Sequence, residues 1–219
     1  TSIVGFVEVL SPDLPREELE RYIAILRRDG VRLMAVVEDI GARSRLLRNR
    51  LNLSPIGVPV PALLVDLARE AEEHWPDALV SVRCPPGIPA VWADPTWLRQ
   101  ILWSLLRNAL RFIPERQRSK GVVLSARQRQ GRVELRVQDN GPRLPGDYRE
   151  AIFQEIAKLP PAGGRPHSGL GLGLYVMRAV ARRMGGDLWL EVPRSARNGA
   201  RRAASRGNTF CVRLPIDAQ

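Results

Sequence analysis

The stretch Asp94–Pro114, DPTWLRQILWSLLRNALRFIP, constrains the fold more than any other part of the chain. Its spacing predicts one helix of about five turns, in which Leu98, Ile101, Leu102, Leu105, Ala109 and Phe112 recur at three- and four-residue steps and form a buried face. Asp94 stands where an N-cap belongs, Pro95 at the first helical position, and Pro114 stops the far end. Asn108 lies at the border of the apolar face, about 60° around from Leu105 at about 100° per residue. Ser104 and Arg111 continue a polar strip beside it. A carboxamide, a hydroxyl and a guanidinium along the edge of a buried face suit the wall of a binding site. From this helix alone, an asparagine that merely faces water is an equally good reading.

The rest of the chain divides around a Pro- and Gly-rich boundary, Asn52–Pro61. Before it, residues 2–10 read as the end of an amphipathic helix broken at Ser11–Pro15. A long helix is expected from about Pro15 to Leu51, where Leu19, Ile23, Leu26, Leu33, Val37, Ile40 and Leu47 follow a heptad seam. Such a seam suits a helical hairpin whose uncovered side dimerises. Residues 1–54 are therefore assigned to a partial helical hairpin and 55–219 to a second domain. In the latter the pattern predicts a helix at 62–75, a strand at 79–84, a short extended piece at 91–94, and strands at 121–128 and 132–139 joined at Gln130-Gly131. A helix at 171–184 and strands near 187–192 and 209–214 complete it. This mixed order predicts an α+β fold: a two-layer sandwich of one mixed sheet covered on one face by helices, preceded by the long helix of the hairpin.

Composition narrows the function. With 44% apolar and 26% charged residues the chain resembles an ordinary soluble globular protein. No apolar run approaches the roughly 18 residues of a membrane span. The opening TSIVGFVEVL lacks the basic start and small-residue cleavage site of a signal peptide, which together with the cysteine usage predicts a cytoplasmic location, either as a cytoplasmic protein or as the cytosolic part of a membrane sensor. The first residue is not Met, so a processed chain or part of a longer protein is expected. Cys84 and Cys211 have no CxxC or Cys/His spacing and read as buried thiols, and His74 and His167 stand apart, which argues against zinc. The net charge of +11 raises nucleic acid as a partner. However, Arg194, Arg197, Arg201, Arg202 and Arg206 crowd into one low-complexity stretch, and the other arginines are dispersed without interleaved aromatics, which argues against it.

Two further motifs carry chemistry. Asp139-Asn140-Gly141-Pro142 closes a strand; the carboxylate can accept from a ligand's amine while the backbone turns away tightly, and the same four residues also read as a plain Asn-Gly turn. Gly163-Gly164 and then Ser168-Gly169-Leu170-Gly171-Leu172-Gly173-Leu174 lead into a helix, freeing backbone N–H groups to approach an anion at the helix start. Glycines used for close helix packing are the alternative. No Lys-Ser/Thr follows Gly173, so this is not a P-loop, and no strand leads directly into it, so it is not a dinucleotide fingerprint.

In order and spacing these stretches resemble the ATP-binding domain of sensor histidine kinases, in the wider group that includes gyrase and the mismatch-repair ATPases. Asn108-Ala109 is similar to that family's asparagine box, Asp139-x-Gly141 to its first glycine box and Ile152-Phe153 to its phenylalanine box. Gly169-x-Gly171-Leu172-Gly173-Leu174 is similar to its second glycine box, and Gly207-Asn208-Thr209-Phe210 through Pro215 to its last hairpin and strand. The N-terminal part resembles its dimerisation and histidine-phosphotransfer hairpin.

The resemblance implies a protein-histidine kinase that binds ATP and Mg²⁺ and passes the γ-phosphoryl group to a hairpin histidine and then to a response regulator. Asn108 would ligand Mg²⁺, Asp139 would bind the adenine amino group, and Arg111 would stand where a phosphate-contacting lysine is usual. Gly141, Gly169, Gly171, Leu172, Gly173 and Leu174 would complete the nucleotide site, and residues of the 155–170 loop would cover it. The acceptor histidine would lie upstream of Thr1. Arg143 replaces the second glycine of the first glycine box, and the end of the phenylalanine box is reduced to Ile156-Ala157-Lys158-Leu159. Those departures keep open a degenerate nucleotide-binding module without phosphotransfer, and the basic charge keeps open a DNA-associated ATPase of the gyrase group.

Overall fold

The computed structural model describes residues 14–23, 25–26, 30, 37, 41, 44, 51–114, 117, 120–146, 148–154, 173–191 and 207–216. The expected helix at 2–10, the loop 155–170 and the basic stretch 194–206 lie outside these residues. Every described residue from 16 to 44 is helical, in keeping with the expected long helix. Of the seam positions, Ile23 and Val37 are exposed, at 40% and 59%.

The elements from residue 56 onward are β1 (Ile56–Val58), α1 (Val60–His74), β2 (Ala78–Arg83), β3 (Val91–Ala93), α2 (Pro95–Phe112), β4 (Lys120–Arg129), β5 (Arg132–Asp139), α3 (Tyr148–Ala151), α4 (Gly173–Arg183), β6 (Asp187–Leu190) and β7 (Thr209–Pro215). The principal sheet runs β2-β4-β5-β7-β6; β2 is parallel to β4 and every other pair is antiparallel, so the sheet is mixed as expected. The β4–β5 hairpin turns at Gln130 and Gly131, whose φ values of 53° and 70° give the left-handed pair that matches strand twist.

Alternation along the strands assigns the two faces. Val122, Leu124 and Ala126 of β4, Val133, Leu135 and Val137 of β5, and Phe210, Val212 and Leu214 of β7 point into the core. Helices α1, α2 and α4 pack on that side, with α2 in the middle touching both α1 and α4. The intervening positions Arg127, Glu134, Arg136, Arg213 and Trp189 belong to the other face, so among the described residues the helices of this domain cover one face, as in the expected two-layer sandwich.

Helix α2 starts as its sequence predicts. Asp94, 7% exposed, accepts from Trp97 N at 3.0 Å through Oδ1, and Pro95 follows at the first position. The second oxygen of Asp94 accepts from Ser54 N at 3.0 Å, which ties the Pro- and Gly-rich stretch to the helix start. That stretch also contains β1, which pairs antiparallel with β3, and buried Leu51 immediately precedes it. A short strand therefore lies where only a linker was read, because three residues are too few to show an alternation. The buried face of α2 differs from expectation in two respects. Trp97, Leu106 and Leu110 are buried as well, because the central helix of three is covered on its flanks. Phe112 is 43% exposed: it is the last residue of the helix, and Ile113 beyond it, 2% exposed, takes the core position instead.

Candidate functional site

Three described elements meet at one end of the sheet: the last turn of α2, the loop leaving β5 at Asp139, and the approach to β7 at Gly207-Asn208. Asp139 ends β5 at 6% exposure. Its Oδ1 accepts from Gly141 N at 2.8 Å and from Asn208 N at 3.2 Å, and the Asn208 carboxamide reaches both carboxylate oxygens at 3.3–3.4 Å. Oδ1 is thus nearly saturated, whereas Oδ2 has one long contact and retains acceptor capacity for a ligand donor. Burial pushes the Asp139 pKa above the ordinary carboxylate value against the opposing pull of these hydrogen bonds.

Asn208 does more than touch the carboxylate. Its Nδ2 also donates to Pro142 O at 2.9 Å, and its Oδ1 accepts from Leu144 N at 2.8 Å, so one side chain fastens the loop 139–144 at three points. Asp139 N donates back to Asn208 O at 3.0 Å. This approach is possible only because residue 207 is glycine: its φ is +107°, and a Cβ there would lie 1.7 Å from Asp139 O. Asn208 is the residue that motif reading missed. The signal available was its place in the Gly207–Phe210 motif, but nothing in the sequence says that its side chain turns to a residue 69 positions earlier.

Gly141 brings the loop onto α2. A Cβ at Gly141 would stand 3.2 Å from Ile113 Cγ1 and 3.1 Å from Asp139 Oδ1. Asn140 closes the other side, its Oδ1 accepting from Gly121 N and its carbonyl from Gln117 Nε2, both at 3.0 Å. The polar strip of α2 runs outward along this wall: Ser104 is buried, Asn108 half-buried and Arg111 exposed. The Arg111 guanidinium lies 5.8 Å from the Phe112 ring centroid. Arg143 is exposed and its backbone is not left-handed.

Helix α4 begins at Gly173 and Leu174, both half-buried, and packs against α2. Gly169, Gly171 and Leu172 lie outside the described residues. Ile152 and Phe153 follow α3 and are buried, and Phe153 meets Phe210 of β7 edge to face with centroids 6.5 Å apart. The described residues thus supply a buried acceptor at Asp139, a half-buried carboxamide and an exposed guanidinium on α2, and a helix, α4, packed against α2. Those are the groups needed to hold an amine-bearing heterocycle and an anion together.

A second charged cluster lies on the open face of the sheet. Ligand atoms of Glu134, Glu191 and Cys211 stand within 4.8 Å of one another. Arginines already occupy it: Arg127 Nη2 is 2.6 Å from Glu134 Oε1, Arg136 donates to both oxygens of Glu191, and Arg213 Nη2 is 3.8 Å from Glu134 Oε2. The three guanidinium groups neutralise the carboxylates and repel a metal cation. Cys84 is half-buried rather than buried, while Cys211 is fully buried beneath this lattice, and burial pushes its thiol up to about 12.

Residues 93–218 match the family model described as histidine kinase-, DNA gyrase B-, and HSP90-like ATPase. The chain is 30% identical over 191 residues to the aerobic respiration control sensor protein ArcB of Escherichia coli, covering 85% of this chain and 24% of ArcB. It is 32% identical over 189 residues to sensor protein CreC of Escherichia coli (86% and 39%), and 31% identical over 187 residues to the adaptive-response sensory kinase SasA of Prochlorococcus marinus (82% and 48%). The chain spans less than half the length of these relatives. Among solved structures, full-length ShkA in complex with AMPPNP superposes with a TM-score of 0.69 at 25% identity, covering 100% of this chain and 42% of that one. Histidine kinase ThkA in complex with response regulator protein TrrA gives a TM-score of 0.64 at 21% identity (98% and 57%), a likeness of fold.

Proposed function

The chain belongs to the histidine kinase-, DNA gyrase B-, and HSP90-like ATPase family, with sensor histidine kinases among its relatives, and from that premise we propose that it binds Mg-ATP and delivers the γ-phosphoryl group to a histidine. The observation that carries this reading is the Asp139 carboxylate, buried at the strand end with Oδ1 nearly saturated by the chain and Oδ2 left with acceptor capacity.

In this mechanism Asp139 Oδ2 accepts from the exocyclic amine of adenine. The N-terminus of α4 and Arg111 receive the phosphates, the helix through its dipole and the arginine as a paired donor. Asn108 would supply a neutral oxygen to Mg²⁺. A half-buried carboxamide at the edge of a groove fits an ion that keeps most of its ligands as water and phosphate oxygens. The chemistry supplied there would be neutralisation of phosphate charge. No described carboxylate stands on the Asn108 strip, and buried Ser104 occupies the position one turn earlier; a serine without a basic partner does not activate water. The site is therefore built to hold and orient ATP for transfer rather than to hydrolyse it.

The acceptor is a histidine on the helical hairpin to which residues 1–54 contribute, with a response regulator next in line, in a cytoplasmic homodimer. The exposed seam residues Ile23 and Val37 support dimerisation through that hairpin. Residues 55–219 form the catalytic domain in this scheme. The deciding experiment incubates the full-length protein with γ-labelled ATP and looks for acid-labile phosphate on histidine. ATP binding without such phosphate favours the second reading, a nucleotide-sensing module, to which Arg143 in place of glycine lends support.

A further inference from the structure

Arg178 lies on α4, five residues beyond its first residue, and is absorbed by none of the roles above. Its side chain is 15% exposed. Nη1 donates to Glu150 Oε2 at 2.7 Å and Nε to Asp187 Oδ1 at 3.1 Å. Its Cζ stands 4.8 Å from the Phe153 ring centroid. One guanidinium therefore joins three elements: the helix that opens at Gly173, the turn Tyr148–Phe153 and the start of β6.

The turn is the direct continuation of the site loop. Leu144 N is held by Asn208, Tyr148 N donates to Pro145 O at 3.2 Å, and the backbone closes from there to Phe153, whose N–H donates to Glu150 O at 3.0 Å. Phe153 in turn packs on Phe210, two residues from Asn208. The Asp139 side of the site thus ends at the guanidinium, and the anion-facing helix begins about 7 to 8 Å along the axis from it, at about 1.5 Å per residue. We propose that Arg178 is a positioning residue of the nucleotide site, fixing the distance between the wall that holds the base and the helix end that holds the phosphates.

This rests on the nucleotide reading above. A ligand that touches both walls is sensitive to their separation, and one that touches a single wall is not. A planar, always-charged group that forks to two carboxylates and stacks on a ring is required, so lysine substitutes incompletely. Glu150 is 76% exposed, and its charge can be removed without disturbing the core.

The test measures ATP and adenosine binding by calorimetry and competition in the wild-type chain, Arg178→Lys, Arg178→Ala and Glu150→Gln, together with hydrogen exchange of amides 148–154 in the absence of nucleotide. In Arg178→Ala the ATP Kd should rise about tenfold while the adenosine Kd changes by less than about twofold, with Arg178→Lys and Glu150→Gln in between. Exchange at 148–154 should accelerate in the same order. A general loss of stability lowers the melting temperature but leaves the ATP-to-adenosine ratio unchanged; an unchanged ratio in all variants overturns the proposal. Should Arg178→Ala fail to fold, Arg178→Lys and Glu150→Gln decide by the same ratio. A wild-type chain that binds neither ligand overturns the nucleotide reading and this inference with it. Accelerated exchange with an unchanged ratio leaves the nucleotide reading intact and refutes the positioning role alone.

Discussion

Asp139→Asn separates what the site does for the fold from what it does for a ligand. The carboxamide oxygen can take the place of Oδ1 and keep the bonds from Gly141 N and Asn208 N, while the new NH₂ stands at Oδ2, opposite the Asn208 carboxamide nitrogen at 3.3 Å. For the fold the sign follows from the raised pKa. Between the ordinary carboxylate value and the higher folded one, the native state binds more protons than the unfolded chain, so stability falls as pH rises through that window and stays lowered above it. Removing the charge lifts that penalty, while the donor that now faces the Asn208 carboxamide nitrogen forfeits one long hydrogen bond, so the two effects oppose and the melting temperature at neutral pH should change little. For the ligand, a hydrogen bond to a charged acceptor is worth about 1.5–3 kcal/mol, so ATP and ADP affinity should both fall by about 10- to 150-fold. Inosine triphosphate, which carries a carbonyl in place of the amine, should gain relative to ATP because a donor now faces it. The wild type should also lose ATP affinity as pH falls through the Asp139 pKa, and the variant should not. Calorimetry with the three nucleotides beside thermal melts checks all of this. Parallel losses for ATP and inosine triphosphate with a lowered melting temperature would refute the reasoning and reduce Asp139 to a structural residue.

Three further outcomes follow from the geometry. Asp94→Ala removes the N-cap of α2 and strands Ser54 N–H, which should cost about 1–3 kcal/mol in urea melts with little direct effect on nucleotide affinity. Gly207→Ala drives a methyl group into Asp139 O and should abolish nucleotide binding more completely than Asn208→Ala does, as read by calorimetry. ATP turnover by the chain should stay near background while bound ATP persists in a filter assay, and Asn108→Ala should remove the Mg²⁺-dependent part of the affinity; robust hydrolysis abolished by Asn108→Ala would favour a gyrase-like reading.

Much of the architecture was legible because local rules agreed with the fold. The Asp94-Pro95 start, the Gln130-Gly131 turn and the alternation in β4 and β5 are properties of consecutive residues, and the structure reproduces them. What stayed hidden depends on neighbours distant in sequence. Leu106 and Leu110 are buried because α1 and α4 flank α2, a fact absent from the α2 sequence. Strand β1 exists only as the partner of β3. At the site, Asn108, Asp139 and Gly141 were readable as motifs, whereas Asn208 acts through side-chain geometry that no spacing encodes, and Phe112 left the core because the helix ended there.

The Asn208 clamp has a consequence for how the molecule is made. Asp139 lies on β5, whose neighbour on one side is β7, the last of the described strands, and its carboxylate is held by a residue 69 positions later. A chain emerging from the ribosome can close the β4–β5 hairpin early, since the contacts are local, but the loop 139–144 has no clamp until β7 arrives. The loop 139–144 therefore gains its clamp only once β7 has docked, and under the proposed function nucleotide affinity appears with that docking.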